Sequence, residues 1–379
     1  MTLPRLSPGI VKMWVAGRVP PDVQGSLARL ASAADVVRVA VMPDVHLAHD
    51  VCVGTVLATT RRIYPAAVGG DIGCGMIAAS FDVDATALDD ADRAGRMFDR
   101  LRRLVPVHRH PAPRPLPSSL TETPLSDARL QTIARRDGRV QLGTLGRGNH
   151  FLEFQSDDDG RLWVMIHSGS RAVGPAVRDL HVARAAAERT GLASLDAESD
   201  DDRAYLTDAA WASRYADVNR RAMLDAAAAV LADVLGAAIV PSSVIACDHN
   251  HVRREQHADG LLWVHRKGAI SAAAGEAGII PGSMGTRSFH VEGRGNAESL
   301  CSSSHGAGRT MSRDEARRRI SAKELRRQLA GVWFDAAAEH ALRDEAPGAY
   351  KDVRAVMRAQ RDLTRIVRRL RPVLVYKGT

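Results

Sequence analysis

Residues 67–76 read AVGGDIGCGM and place one carboxylate and one thiol among four glycines. Asp71 and Cys74 are three residues apart, and glycines as dense as these let the backbone approach a neighbour closely or adopt positive φ angles. Carboxylate and thiolate, together with imidazole, are the side chains that bind borderline transition-metal ions. The alternative interpretation of the same stretch is a turn acid beside a small buried cysteine.

Outward from this stretch, short apolar runs alternate with helical patterns. Four of these runs end in polar residues and predict β-strands whose ends could line a site. They are DVVRVAVMPD (35–44), RLWVMIHSGSR (161–171), SSVIACDHN (242–250) and LLWVHRKGAI (261–270). Long helical patterns fill residues 204–236 and 350–370. Because candidate site residues are interleaved from position 44 to position 377, we expect an α+β fold with residues 1–379 in a single large domain.

Two local signals add detail to this organisation. The segment 106–119 contains five prolines and is predicted to be an exposed loop. Ser312 followed by Glu315 forms a capping-box pattern, which predicts that a helix begins there.

Composition narrows the class of protein. A chain of 379 residues with 45% hydrophobic residues can bury a substantial core, and it contains no apolar run of about 18 residues. The first 30 residues lack the pattern of a secretion signal, and the four cysteines are scattered, so we expect a soluble, cytoplasmic protein with reduced thiols. The formal charge of +8 favours a polyanionic partner such as nucleic acid.

Several of the 14 histidines lie in polar, glycine-rich surroundings. His150, His167 and His249 could complete two adjacent metal sites with Asp71 and Cys74 if the thiolate bridged the two ions. From the ligand types alone, zinc is the expected metal. The alternative is that these histidines are hydrogen-bonded core or surface residues.

Two Gly/Ser-rich stretches form a second theme, IIPGSMGTRS (279–288) and SSSHGAGR (302–309). Their backbone N–H groups could cradle phosphate oxygens, although neither stretch has the pattern of a Walker loop. Each could equally be a flexible turn.

Taken in order, eight motifs closely resemble the RtcB family of RNA ligases. They are MPDVH (42–46), GGDIGCGM (69–76), GNHFLEF (148–154), HSGSR (167–171), HN (249–250), PGSMGT (281–286), SHGAGR (304–309) and KG (377–378). The resemblance implies mixed β-sheets around a dinuclear metal site. It also implies an enzyme that uses GTP and two Mn²⁺ ions to join RNA 3′-phosphate or 2′,3′-cyclic phosphate ends to 5′-hydroxyl ends. The task would be tRNA splicing or RNA repair.

The resemblance assigns the catalytic and metal-binding roles by position. Cys74 would bridge the two ions, with His167 and His249 completing one site and Asp71 and His150 completing the other. His305 would be the nucleophile that takes GMP from GTP, and Asp44 would orient its ring. The nucleotide would contact Asn149, Phe151, Glu153, Ser283, Ser288, Ala307, Gly308, Tyr350 and Lys377.

The chain departs from the family pattern at Ala48 and Asp50, where small glycines are usual, and at His251, where an aromatic residue is expected. These departures bear on substrate preference and loop geometry. For RNA binding we expect one helical stripe of arginines, formed by Arg354, Arg358, Arg361, Arg365 and Arg368.

Two other functions remain open at this point. One is a metal-dependent phosphodiesterase that opens cyclic phosphates, and the other is a non-catalytic RNA-binding paralogue. The resemblance also suggests an archease-type helper protein as a partner, and we expect a monomer.

Overall fold

In the computed structural model, which describes residues 10–15 and 17–378, helices and strands alternate along the chain. The strands are β1 Val11–Met13, β2 Val36–His46, β3 Val53–Thr59, β4 Arg62–Ile63, β5 Gly75–Asp84, β6 Phe151–Asp157, β7 Arg161–Ser168, β8 Ala186–Ala187, β9 Ala193–Asp196, β10 Ile245–Asp248, β11 Asn250–His257, β12 Gly260–Lys267, β13 Ala269–Ser271, β14 Ala277–Ile280, β15 Ser288–Gly293, β16 Ser302–Ser304, β17 Trp333–Phe334 and β18 Thr364–Lys377. The α-helices are α1 Pro21–Ala31, α2 Ala91–Leu104, α3 Ser118–Thr121, α4 Ala128–Ile133, α5 Arg139–Gln141, α6 Val173–Arg184, α7 Asp200–Leu235, α8 Arg313–Arg319, α9 Ala322–Gln328, α10 Glu339–Leu342 and α11 Val353–Ala359.

Two large sheets dominate the fold. One has the strand order β1-β2-β3-β12-β11. The other has the order β10-β5-β7-β6-β18-β15-β14, with β17 paired to β18. Most pairs are antiparallel, whereas β1–β2 and β17–β18 are parallel, so the sheets are mixed and the predicted α+β class is confirmed. All four predicted strands are present, the last of them divided into β12 and β13.

The larger sheet is buried on both faces. Because side chains alternate along a strand, Ile77 and Ala79 of β5 join one core with residues of α2 and α7, while Met76 and Ala78 join another core on the opposite face. The long helix α7 confirms the pattern seen at residues 204–236, and it ends at Gly236, which adopts the left-handed conformation with φ of 66°.

Strand ends of the larger sheet converge at one edge. Gly75 at the start of β5 pairs with Ser168 at the end of β7 and with Asp248 at the end of β10. Lys377 near the end of β18 pairs with Phe151 at the start of β6. Residues that flank these ends therefore lie close together although they are far apart in sequence.

The helix predicted over residues 350–370 is wrong. Only Val353–Ala359 is helical, and Thr364–Lys377 forms β18 between β6 and β15. The arginine stripe therefore has no common helix, because Arg354 and Arg358 lie on α11 whereas Arg361, Arg365 and Arg368 follow it. The physical reason is that the segment after residue 363 fills a central position of the sheet, where pairing with two neighbours outweighs the helical spacing of its arginines.

The loop predicted over residues 106–119 is confirmed for residues 106–117, which form neither helix nor strand and are largely exposed, whereas Ser118 and Ser119 begin α3. The capping-box prediction is confirmed. The hydroxyl of Ser312 accepts a hydrogen bond of 3.2 Å from the backbone N–H of Glu315 at the start of α8. No helix within the described residues is long and apolar enough to cross a bilayer.

Candidate active site

The glycine-rich loop before β5 delivers Asp71 and Cys74 to the convergent strand ends. Gly73 has a φ of 72°, and a Cβ at this position would lie 2.5 Å from Cα of Ser213 on α7. A Cβ at Gly75 would overlap the carbonyl oxygen of Cys247. Only glycine allows the loop to pass this close to the helix and the neighbouring strand.

Five predicted ligands form one continuous chain of side chains. Cys74 Sγ lies 3.5 Å from His150 Nε2 and 3.2 Å from His167 Nε2. At one end, Asp71 Oδ2 lies 2.9 Å from His150 Nε2, and at the other, His249 Nε2 lies 3.3 Å from His167 Nε2. The thiol is therefore in the middle, with one histidine on each side and a further ligand beyond each. Cys74, His150 and His167 together could hold a metal ion.

Contacts behind the ligands orient two imidazoles toward the thiol. His150 Nδ1 lies 3.0 Å from the carbonyl oxygen of Leu145, and His167 Nδ1 lies 3.1 Å from that of Asn149. A backbone carbonyl only accepts hydrogen bonds, so Nδ1 carries a proton in each ring, and Nε2 is the nitrogen that faces the cluster and could ligate a metal. His249 Nδ1 is buried without a partner among the described residues.

The electrostatics of the cluster suit a bound cation. Burial raises the pKa of the Cys74 thiol and lowers the pKa values of His167 and His249. Burial also acts to raise the pKa of Asp71, but the hydrogen bond and charge of His150 outweigh it, so that pKa is below its usual range. Neutral imidazoles are the form that binds a metal, and a nearby cation would stabilise the buried thiolate.

His305 lies between this cluster and a cavity. Its ring centroid is 4.7 Å from that of His249, and its Nδ1 lies 2.7 Å from Oδ2 of Asp44. The same carboxylate oxygen accepts the backbone N–H of His305 at 3.2 Å, and Asp44 is fully buried on β2. Because the carboxylate accepts a hydrogen bond from Nδ1–H, Nε2 of His305 is the nitrogen left available to the site.

The cavity beside His305 has a volume of about 220 Å³. All nine residues predicted to contact a nucleotide line it. They are Asn149, Phe151, Glu153, Ser283, Ser288, Ala307, Gly308, Tyr350 and Lys377. Residues from five separate stretches of the sequence thus line one cavity.

Glu153 is the acidic group at the cavity wall with the most strongly shifted pKa. It is 4% exposed, and its Oε1 accepts a hydrogen bond of 2.5 Å from Gln155 Nε2. Burial raises its pKa to about 8, although the Gln155 hydrogen bond and the charge of Lys377 act in the opposite direction. Burial therefore favours the protonated form of this carboxyl group in the free protein.

Four ionisable residues that line the cavity were not among the predicted site residues. His46 and Arg309 fall inside motifs that we quoted, so their presence there was an unused signal. Arg313 and Glu345 lie outside every motif, and nothing in the sequence distinguishes them from the many other charged residues.

The three departures from the family pattern lie away from this cavity wall. His251 is buried on β11, with Nε2 3.1 Å from a guanidinium nitrogen of Arg266. Asp50 lies in the segment between β2 and β3, where its carbonyl oxygen accepts a hydrogen bond of 2.6 Å from Arg29, and Ala48 lies two residues before it.

Comparison with known proteins gives one consistent family. The family model described as "tRNA-splicing ligase RtcB" matches residues 26–133 and 121–378. The RNA-splicing ligase RtcB of Escherichia coli (strain K12) is 38% identical over 404 aligned residues, which cover 97% of each chain. The protein of the same name from Mycobacterium tuberculosis is 32% identical over 89% of this chain and 96% of its own. The tRNA-splicing ligase RtcB of Pyrococcus abyssi is 32% identical over 65% of this chain and 32% of its own.

Proposed function

Because the chain belongs to the RtcB family of RNA ligases, we propose that it joins RNA 3′-phosphate or 2′,3′-cyclic phosphate ends to 5′-hydroxyl ends through a covalent GMP–histidine intermediate. The observation that carries this proposal is the position of His305. Its free Nε2 lies between the chain of metal-ligating side chains and the cavity lined by the nine expected nucleotide residues. A nucleophile for nucleotide transfer needs a cavity that binds the nucleotide and, beside it, a metal site that neutralises the phosphate charge.

In the first step, Nε2 of His305 attacks the α-phosphorus of GTP. A P–N bond forms, the P–O bond to the β-phosphate breaks, and pyrophosphate leaves with the electron pair. Asp44 holds the Nδ1 proton and stabilises the positive charge that develops on the imidazole. The adduct then transfers GMP to the RNA 3′-phosphate, and attack by the 5′-hydroxyl on the activated end releases GMP. Water must first open a cyclic phosphate.

The proposed cofactor is a pair of Mn²⁺ ions. Cys74 would bridge them, His167 and His249 would complete one site, and Asp71 and His150 the other, an assignment supported by the order of the five side chains. When bound, the ions would neutralise charge on the phosphoryl oxygens and on the leaving pyrophosphate.

The proposed guanine contact is Glu153, whose ionised carboxylate can accept the N1 and N2 protons of guanine. Adenine has an unprotonated N1 and no 2-amino group, so it cannot make this pair. Lys377 would bind the guanine or a neighbouring group, and Tyr350 would stack on the base. The position of all three side chains at the cavity supports this assignment.

The remaining proposals concern the working protein. Its substrate is RNA, processed in tRNA splicing or in repair, and the proposed compartment is the cytoplasm. We propose that residues 1–379 act as one monomeric ligase domain, with an archease-type helper as a partner. Strands from the first third and the last third of the chain pair in the same sheet, which supports a single domain.

The experiment that tests the proposal is intact-mass analysis after incubation with GTP and Mn²⁺, comparing the native chain with His305→Ala. The expected result is a gain of one GMP moiety in the native chain alone. A native chain without adduct under any divalent metal, even with a helper protein added, favours the phosphodiesterase or the RNA-binding paralogue. Opening of a cyclic-phosphate RNA by both chains would identify the phosphodiesterase.

A further inference from the structure

A single buried carboxylate holds together the basic side of the nucleotide cavity. Glu345 is 3% exposed, and its Oε1 accepts hydrogen bonds from Arg309 at 3.1 Å and Arg313 at 2.5 Å. Its Oε2 accepts the hydroxyl of Tyr350 at 2.8 Å and the ammonium of Lys377. All five residues line the cavity. Three cations and a phenol thus converge on one acidic group.

These four donors come from separate segments of the chain. Arg309 follows β16, Arg313 is the first residue of α8, Tyr350 precedes α11 and Lys377 is the last residue of β18. No single helix or strand carries two of them. Arg309 and Tyr350 are also joined directly by a backbone β-bridge and a hydrogen bond of 3.2 Å, whereas Glu345 is the group that all four donors share. Burial acts to raise the pKa of Glu345, but Lys377 and the two arginines outweigh it and hold that pKa below its usual value.

We propose that Glu345 is a positioning residue that holds Lys377 and Arg309 at the cavity wall in the arrangement that receives the guanine edge and the phosphates of the nucleotide. This inference rests on the proposed function, since it requires a guanine nucleotide in the cavity. Nothing in the sequence pattern or in the family motifs quoted above assigns a role to Glu345.

Glu345 gives Lys377 an acidic partner other than Glu153. The charge of its ammonium acts to lower the pKa of Glu153, the carboxyl group proposed to bind guanine, and its nitrogen lies 5.5 Å from the ring centroid of Phe151. If Glu345 were neutral, Glu153 would be the remaining acidic partner of Lys377 at the cavity. An ion pair between Lys377 and Glu153 would occupy the group that guanine needs. Glu345 therefore keeps the two nucleotide-binding side chains apart.

The adjacent residue provides a matched control. Asp344 is also 3% exposed, and its carboxylate binds Arg313 at 3.0 Å and Arg317 at 2.8 Å. Its carboxylate forms no hydrogen bond with Lys377, Tyr350 or Arg309, whose guanidinium contacts only the backbone carbonyl of Asp344, and Asp344 does not line the cavity. Asp344→Asn and Glu345→Gln thus remove one buried charge each from the same turn, but only the second touches the proposed nucleotide contacts.

The test measures binding of GTP and ATP to the full chain by calorimetry without divalent metal, so that no adduct forms. We expect Glu345→Gln to weaken GTP binding about tenfold and to reduce the preference for GTP over ATP, as expected from the loss of charge-assisted hydrogen bonds. Glu345→Asp should recover part of the loss. Asp344→Asn should bind GTP within about twofold of the native chain, although both variants lower the thermal unfolding midpoint.

Two results would overturn the inference while leaving the proposed function intact. One is native-like GTP affinity and selectivity in Glu345→Gln. The other is an equal loss of affinity in Asp344→Asn, which would reduce Glu345 to a structural role. A native chain that neither binds GTP in this assay nor forms the GMP adduct with Mn²⁺ would instead overturn the proposed function itself, together with this inference.

Discussion

At the scale of single residues, the pair of His305 and Asp44 decides which imidazole nitrogen can act. Asp44→Asn preserves the shape of the side chain but removes the charge that stabilises a developing imidazolium. We expect the initial rate of GMP-adduct formation to fall by about two orders of magnitude or more, with GTP affinity within a few-fold of native. The measurement is quenched-flow intact mass. An adduct rate within twofold of native would show that Asp44 does not orient the nucleophile.

Glu153 gives a second residue-scale prediction, in the pH dependence of GTP binding. Its pKa of about 8 means that, without nucleotide, the Glu153 carboxyl group is mostly protonated at neutral pH, whereas the proposed guanine contact needs the carboxylate. Binding therefore releases a proton, and GTP affinity should rise with pH between 6 and 8 and level off above 8. Calorimetry in buffers of different ionisation enthalpy measures both effects. Affinity that is flat across this range would contradict the assignment.

The same pKa shift has the opposite consequence for folding. The unfolded chain loses the Glu153 proton near pH 4.5, whereas the folded chain keeps it until about pH 8, so the folded state binds more protons in that window. The Glu153 contribution to stability therefore falls as pH rises from 4.5 to 8. Glu153→Gln removes this contribution, so denaturant unfolding of this variant should be less sensitive to pH, and its GTP affinity should lose the pH dependence.

At the scale of elements, the last strand shows where sequence patterns stop being decisive. The short apolar runs with polar ends at residues 35–44 and 161–171 predict strands and carry no competing helical pattern. Both segments form strands, β2 and β7. Residues 364–377 carry arginines at helical spacing together with β-branched and aromatic residues, so both patterns are present. Pairing with β6 and β15 decides between them, and single-sequence periodicity does not contain that information.

The strand assignment changes what Arg368 is expected to do. Its guanidinium carbon lies 4.5 Å from the ring centroid of Trp163, and its Nε lies 3.4 Å from a carboxylate oxygen of Asp157. Arg368→Gln should therefore lower the free energy of unfolding by about 1 kcal/mol through loss of the cation–π contact. The control is Arg369→Gln, because the side chain of the adjacent Arg369 is about half exposed. This variant should change the free energy of unfolding by less than about 0.5 kcal/mol. Urea denaturation distinguishes the two, and equal effects would contradict the packing role.

At the scale of the whole molecule, the five proposed metal ligands come from four separate stretches of the chain. Mn²⁺ should therefore raise the thermal unfolding midpoint, because binding to the folded state alone stabilises it by mass action. Thiolate and imidazole ligands bind Zn²⁺ more tightly than Mn²⁺. We expect Zn²⁺ to produce the same stabilisation at lower concentration while suppressing GMP-adduct formation. Cys74→Ser should abolish most of the increase in unfolding midpoint that Mn²⁺ and Zn²⁺ each produce. An unchanged increase with Zn²⁺ in that variant would place the metal elsewhere.

A site residue can be predicted from the sequence when it lies in a recognisable motif. The five proposed ligands, His305 and the nine proposed nucleotide contacts lie mostly in short glycine-rich motifs, and the structure places these side chains close together. Glu345 has no such setting, because its importance comes from four partners that are distant in sequence. Long-range ion pairs of this kind arise only when the chain is folded, which is why Glu345 and Arg313 could not be predicted.

The charge of the whole chain leads to the last prediction, on RNA binding. Arg354, Arg358 and Arg361 are exposed on α11 and just after it, and they remain candidates for phosphate contacts although the predicted stripe is absent. If all three contact phosphates, replacing them with Gln should reduce the slope of log affinity against log salt by about 2 for single-stranded RNA. The control replaces Arg129, Arg135 and Arg136, which are also exposed, so that both variants lower the net charge from +8 to +5. A smaller slope in the first variant alone supports direct contacts. The same change in both would assign RNA binding to overall charge, and an unchanged slope in the first would exclude α11 from the RNA surface.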